Sequence, residues 1–502
     1  MNPIPLAIPP GCVRDGTENQ ARGRWWDMNL TRWYGRQLGP IGGWRSRSAE
    51  QTPVTGAARA LLPWRTTVGS RWIAIATNSN LYVQNPQGTA FDITPTGLIV
   101  GSVDQLANIG FGSGAFGEGT FGDARQDTGN PIPATVWDLD TFGNYLVGCS
   151  SADGGLDLWT LDPLTKAAVM SGSPSSCSGV VVDQNGFILA LGAAGDPRKI
   201  AWPDQGSTTA WTPTTTNQAG DVDLVTSGDL VTGRRLGGVA LVLTDVDGHA
   251  GVYVGLPSVF EFSPVGYGCG AISKGCLVAM GSRAAWWSLS GFWEFDGQSA
   301  LPLECPVYDF LLKNLNGSQR TKVTGFHNSA YGEVWWFYPS ASSDENDSYV
   351  FWDYRKSAET GVQVWGIGLL ARLSASEQSV FNTPLAMGPD GLCYEHETAF
   401  AYDGSVPWAK SGPIRLGAGA LNMRVQGIIP DEATAGQCTV EFTGRQFPNA
   451  PESTFGTTSF DGTGWSNIRF ESRQVSLLVQ FTVGAASRWG EPSLLASPGS
   501  GR

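Results

Sequence analysis

The feature that most constrains this chain is a hairpin that keeps returning. An apolar run, a turn rich in Gly, Asn, Asp or Ser, and a second apolar run carrying an aromatic residue start at Trp72 ("WIAIATNSNLYV"), Tyr145 ("YLVGCSSADGGLDLW"), Phe187 ("FILALGAAGDPRKIAW") and Val239 ("VALVLTDVDGHAGVYV"). The pattern continues from Leu277 ("LVAMGSRAAWWSLSGFWEFDG"), Val334 ("VWWFYPSASSDENDSYVFWD") and Leu385 ("LAMGPDGLCYEHE"). β-rich runs on either side of turn-forming clusters are hairpin signals. Apart from the first interval, successive starts lie roughly 40 to 55 residues apart, the spacing of four-stranded propeller blades. The expectation is an all-β chain, with a β-propeller of six or seven blades over residues 61–410. A pair of β-sandwiches is the competing arrangement.

The composition agrees. The 502 residues include 66 Gly, 30 Pro and 20 Trp, which imply many tight turns joining short strands held by large aromatic side chains. A net charge of −13 argues against general affinity for nucleic acid, which needs Lys and Arg to displace counterions from phosphates. An acidic wall would repel DNA, which does not exclude a protein that DNA passes through. The start "MNPIPLAIPPG" has no basic residue and is interrupted by prolines, so no signal peptide is expected. With no apolar window of about 18 residues either, a soluble chain made in the cytoplasm, without stable membrane insertion, is expected. The eight cysteines are scattered without Cys-x-x-Cys spacing and read as reduced, mostly buried thiols.

The flanks differ from the middle. Residues 1–60 interleave arginines with aromatics, and Arg22, Arg24, Trp25, Trp26, Arg32, Trp33, Arg36 and Trp44 are candidates for a protein interface, because guanidinium groups stack on indoles and pair with carboxylates. A strand-turn-strand unit packed on the core is the alternative. Residues 411–502 alternate apolar and polar side chains, the mark of strands with one buried face. The two flanks are expected to form a small β platform together. Between the first two hairpins, "FGSGAFGEGTFGDAR" (residues 111–125) repeats Phe111, Phe116 and Phe121 at intervals of five. A free linker favours Gly and Ser without bulky apolar residues, so an ordered loop anchored by its phenylalanines is expected, against a flexible surface loop, and Phe111, Phe116 and Phe121 join the interface candidates.

Signals for chemistry are weak. Three histidines are dispersed, and "YEHE" at 394–397 reads as a surface charge pair. "TDVDGHAG" and "SSDENDS" lack the ligand spacing of a calcium loop, and no nucleophile elbow, Walker loop or zinc-protease helix is present. "SSADGGLDLW" resembles the Asp-box turn of sialidase propellers, a turn-stabilising device, with Trp159 one residue too far along. No catalytic, cofactor-binding or metal-binding residue is assigned, and the chain is expected not to be an enzyme. A carbohydrate-binding or glycan-hydrolysing propeller is the alternative.

The order of features carries a resemblance. "IPPGCVRDGTENQARGRWWDMNLTRWYGRQLGPIGGWR", then the Gly-aromatic run, "TVWDLDTFGNYLVGCSSADGGLDLW" and the final "RWGEPSLLASPGSGR" resemble the tail nozzle, or tail hub (packaged-DNA stabilisation) protein, of short-tailed bacteriophages. The resemblance implies a structural protein of the virion tail, assembled in the host cytoplasm as a ring of six copies. It also implies contact with an adaptor ring above, a tail needle or tip below and tailspikes or fibres at the side. Double-stranded DNA would pass through transiently, and no cofactor would be needed.

Overall fold

The computed structural model describes residues 3–106, 131–415, 421–460 and 464–499. Each of the seven recurring hairpins supplies the central strand pair of one four-stranded antiparallel sheet. Those central strands read as unbroken apolar runs because they are sandwiched between neighbouring sheets; Glu333–Pro339, for example, is buried along its whole length. Gly154, in the turn between Tyr145–Ser150 and Leu156–Trp159, has a φ of 66°, and a Cβ there would run into the backbone of Cys177. Only glycine fits that turn.

The innermost strands are Ala58–Arg65, Trp137–Phe142, Gly179–Val182, Leu230–Leu236, Val278–Met280, Thr324–Asn328 and Ser374–Ser376. Each lies beside the next and the last returns to the first. The result is a closed β-propeller of seven blades. Tryptophans stitch adjacent blades together through the backbone. The Trp137 indole donates to the Thr77 carbonyl (2.8 Å), Trp64 to Asn144 (3.0 Å) and Trp336 to Cys276 (2.8 Å). A large apolar ring with one donor suits such a seam, because it fills the gap between sheets and still has its N–H satisfied.

The outermost strand of blade seven comes from the other end of the chain. Gly43–Ser46 pairs antiparallel with Cys393–Ala399. The N-terminal segment therefore closes the propeller as well as contributing outside it.

Of the remaining strands from the flanks, Thr31–Tyr34 and Gln37–Pro40 pair as a two-stranded sheet and the others build two larger sheets. One runs in the order Trp25–Asn29, Trp408–Ser411, Gln474–Phe481, Cys438–Arg445, Ser453–Ser459, and the other Pro3–Pro5, Ser493–Pro498, Met423–Ile429, Ser466–Ser472. They pack face to face over Val425, Phe442, Leu477 and Leu494, with the Phe442 and Phe470 rings 5.4 Å apart across the gap. This sandwich sits at the rim of the propeller, its Trp25–Asn29 strand beside Trp365–Leu369, the outer strand of blade six. Asn29 Oδ1 accepts the Leu369 N–H (2.8 Å), and the Leu30 N–H donates to the Tyr349 hydroxyl (2.8 Å). The eight cysteines are unpaired thiols, seven of them buried. Among the described residues no helix is long and apolar enough to cross a membrane.

Candidate functional site: the propeller axis and its seam with the sandwich

Two places concentrate charge inside the molecule, and both arise where a polar residue interrupts an apolar strand. The first is the seam with the sandwich. Arg32, on the Thr31–Tyr34 strand of the N-terminal hairpin, is fully buried and sends Nη2 to Glu333 (2.9 Å) and Glu397 (2.6 Å). Its guanidinium also lies 3.8 Å from the centre of the Tyr331 ring. Glu333 accepts from the Trp335 indole (2.8 Å), while Glu397 accepts from the Gly42 N–H (2.9 Å) and the Asn328 amide (3.1 Å). Burial works against the charge on Arg32, but Glu333 and Glu397 outweigh it and hold the guanidinium cationic. With two carboxylates to one cation, Glu333 is pushed up to about 7 by burial, despite the pull of Arg32.

The second place is the propeller axis. At the end where the innermost strands begin, Arg59 makes a two-pronged pair with Glu345 (2.7 and 2.6 Å) and donates to the Val103 carbonyl (2.9 Å). Lys322 joins Glu345 (3.1 Å) to Asp104 (2.5 Å), and Gln105 N–H donates to Gln319 (3.2 Å). A strap formed by residues 101–106 is thereby fastened across this end to blade six. Leu106 and Ile132, on either side of the Gly-Phe stretch in sequence, are bridged (2.9 Å). Phe111, Phe116 and Phe121 themselves lie outside the described residues.

Also on the axis, Asp138 of blade two is fully buried and faces Arg234 (3.1 Å) and Thr232 (3.3 Å) of blade four, with Lys274 at 3.8 Å. A cavity of about 210 Å³ lies between the innermost strands, where Leu61, Trp137, Leu139, Leu277 and Phe326 share the lining with Arg59, Arg234, His327 and Glu377. On the same cavity, His327 stands 3.6 Å from Glu377 and 3.1 Å from the Tyr354 hydroxyl. Among the described residues the axis holds side chains around this small cavity and no bore of duplex width.

The arginine-aromatic cluster divides by burial. Trp25, Arg32, Trp33 and Trp44 are 5 % exposed or less. Their reading as a surface for another protein gives way to an internal role, because the chain's own blades six and seven and its C-terminal sheet are the partners. Trp33 packs on Phe351, and the Trp44 indole donates to Asp403 (2.5 Å). Arg24 and Trp26 are half-buried, with Arg24 donating to the Pro10 carbonyl (3.2 Å), while Arg22 and Arg36 remain exposed. "YEHE" is likewise corrected from a surface pair. His396 is buried and accepts from the Arg372 Nε (2.8 Å), and burial, reinforced by Arg372, holds it well below the usual histidine range.

Asp247 and Glu345, from the two calcium-like stretches, are held by Thr244 (2.6 Å) and by Arg59 respectively. Among the described residues no group of three or more His, Cys, Asp or Glu is arranged to hold a metal ion. In the Asp-box-like turn, Asp153 accepts the Gly155 N–H (3.1 Å). The axial charges Arg59, Asp138, Arg234 and Lys274 were missed in the sequence. For Arg59 and Asp138 a signal was present, since an ionisable residue inside an apolar strand ("ARALL", "TVWDLD") implies a buried partner; Arg234, beside Arg235, and Lys274, in a loop, carried none.

No family model matches the chain, and no curated protein matches it. Solved structures do resemble it. A catalytically inactive virginiamycin B lyase from Staphylococcus aureus, solved with quinupristin, is 8% identical over 69% of this chain and 97% of that one, with a TM-score of 0.40. The Neurospora crassa Pan2 WD40 domain is 9% identical over 72% and 95% (TM-score 0.39), and a streptogramin B lyase 10% identical over 74% and 97% (TM-score 0.30). At these values the likeness is one of β-propeller fold alone. It nevertheless corrects the expectation that the chain is no enzyme: two of these three neighbours are lyases, so the exclusion is withdrawn.

Proposed function

We propose that this chain is a structural protein of a short phage tail. Copies of it form a ring, six by the family resemblance, that continues the DNA channel below the adaptor, retains the packaged genome and passes it at infection. Needle or tip and tailspikes or fibres are the other proposed partners, and the virion tail is the proposed location. One observation carries the reading: two bodies, a propeller and a sandwich woven from both chain ends, are joined through the N-terminal hairpin with its buried ion triad and through the bonds of Asn29 and Leu30 to blade six. Stiff two-body units suit a stacked assembly, in which one body faces the neighbouring copy and the other the next ring. The packed axis adds a condition: DNA would run between copies and not through a propeller.

The acidic composition supports such a wall, since repulsion of phosphates lets a duplex slide without sticking. The test is gold-labelled antibody against the chain, imaged on phage particles from the source lysate. Label at the tail end is the expected result, and unlabelled particles, intact and detergent-disrupted, would remove the protein from the virion.

A further inference from the structure

The strand that closes the propeller is held by a stack of side chains. Trp44, on Gly43–Ser46, lies directly opposite His396 on Cys393–Ala399, their rings 5.5 Å apart. Arg372, in the segment leading into the innermost strand of blade seven, places its guanidinium over Trp44 (4.7 Å) and Tyr394 (4.8 Å). Its Nε donates to His396 Nε2 (2.8 Å), and Trp44, Arg372 and His396 are each 8% exposed or less. A ring nitrogen that accepts a hydrogen bond carries a lone pair, so this contact requires neutral imidazole. On protonation Nε2 becomes a donor, and its N–H would point at the N–H of a second cation in a dry stack. Among the described residues neither His396 nor Arg372 makes an ion pair with a carboxylate. Asp403 and Asp390 act on Arg372, but they are bonded to the Trp44 indole (2.5 Å) and the Tyr394 hydroxyl (2.5 Å). Glu395 is paired with Arg45 (2.9 Å) and Glu397 with Arg32 (2.6 Å). The Cys393 thiol and Tyr394 phenol are each pushed up to about 12 by burial and stay neutral.

We propose that the contact between Arg372 and His396 is an acid-released latch on the closing strand: a proton on His396 breaks it and frees Gly43–Ser46 from blade seven. The release is local, because Gly43–Ser46 is a four-residue edge strand paired on one side only. The same segment continues from the hairpin that carries Arg32, so freeing it also loosens the joint between propeller and sandwich. The sign of the pH dependence follows from the depressed histidine. In the fold, burial and then Arg372 hold His396 well below its usual range, whereas a released histidine takes its proton near the ordinary value of about 6.5. The latch is therefore intact above that pH and weakens as the pH falls below it.

The test is hydrogen exchange of the full-length chain at about pH 7.5 and about pH 5, with rates corrected for the intrinsic pH dependence of amide exchange. Protection of residues 43–46 should fall at least about ten-fold, and that of the central strands of blades one to six by less than about three-fold. His396→Gln keeps an acceptor for Arg372 and has no proton to gain, so its closing strand should change by less than about three-fold. Comparing it with the wild type cancels the titration of Asp390, Asp403 and Glu333. Carbon-13 labelling of the three histidines gives a readout that needs no variant: the His396 signal should remain that of neutral imidazole at about pH 6, where an ordinary histidine is largely protonated. Unchanged protection of 43–46 in the wild type, an equal loss in His396→Gln, a loss shared by all seven blades, or a protonated His396 at about pH 6 with the strand still protected would overturn the proposal.

Discussion

Arg32 shows how one residue couples two bodies. It is the buried cation between Glu333 and Glu397, and its removal leaves two carboxylates with no positive partner in a dry seam. Breaking a buried pair from one side costs about 3–5 kcal/mol, so Arg32→Met should lower the urea midpoint by a corresponding amount. The pH dependence at the same place has a definite sign. Glu333 holds its proton more tightly in the fold than in the unfolded chain, so its contribution is complete below the ordinary carboxylate range and is lost as the pH climbs through about 7. Glu333→Gln should therefore lose less stability than the wild type between about pH 5 and about pH 8 in urea titrations at each pH. An equal loss in both would show that Glu333 does not set it. None of this was legible locally: Arg32 sits in an Arg-Trp run that reads as a surface, and its partners lie 301 and 365 residues away.

At the scale of elements, what could be read was what is local. The quoted hairpins are the middle strand pairs of the seven blades, because those strands are buried on both faces and joined by short turns. The outer strands were harder: Ala168–Val169 and Ala90–Asp92 are too short and exposed to carry a pattern. Blade number stayed open because the closing strand, Gly43–Ser46, has only four residues and pairs with Cys393–Ala399 far along the chain. That pairing demands glycine, since a Cβ on Gly43 would collide with the Ala401 backbone. Gly43→Ala should cost about 1–3 kcal/mol as an overpacked site does, measured by chemical denaturation, and hydrogen exchange should rise selectively in 393–399. Removing residues 1–46 would take away both this strand and Arg32, so such a truncation should not leave a normally folded propeller; a wild-type melting transition would contradict the closure.

For the whole molecule, the rim position of the sandwich and the packed axis are the features that bear on assembly. Of the eight described arginine-aromatic candidates, Arg22 and Arg36 are those left exposed, so they are the ones free to meet another chain. Arg22→Ala with Arg36→Ala should leave the melting temperature within about 2 °C, as surface changes usually do, while lowering recovery of the protein in assembled particles. Recovery at the wild-type level would place the contact elsewhere. The measurement that tests the central claim most directly is a single-particle reconstruction of DNA-filled virions from the source lysate. The expected result is a ring of seven-bladed propellers at the tail, with duplex density running between copies and none along any propeller axis. Duplex density through a propeller axis, or a tail into which this chain cannot be fitted, would contradict it.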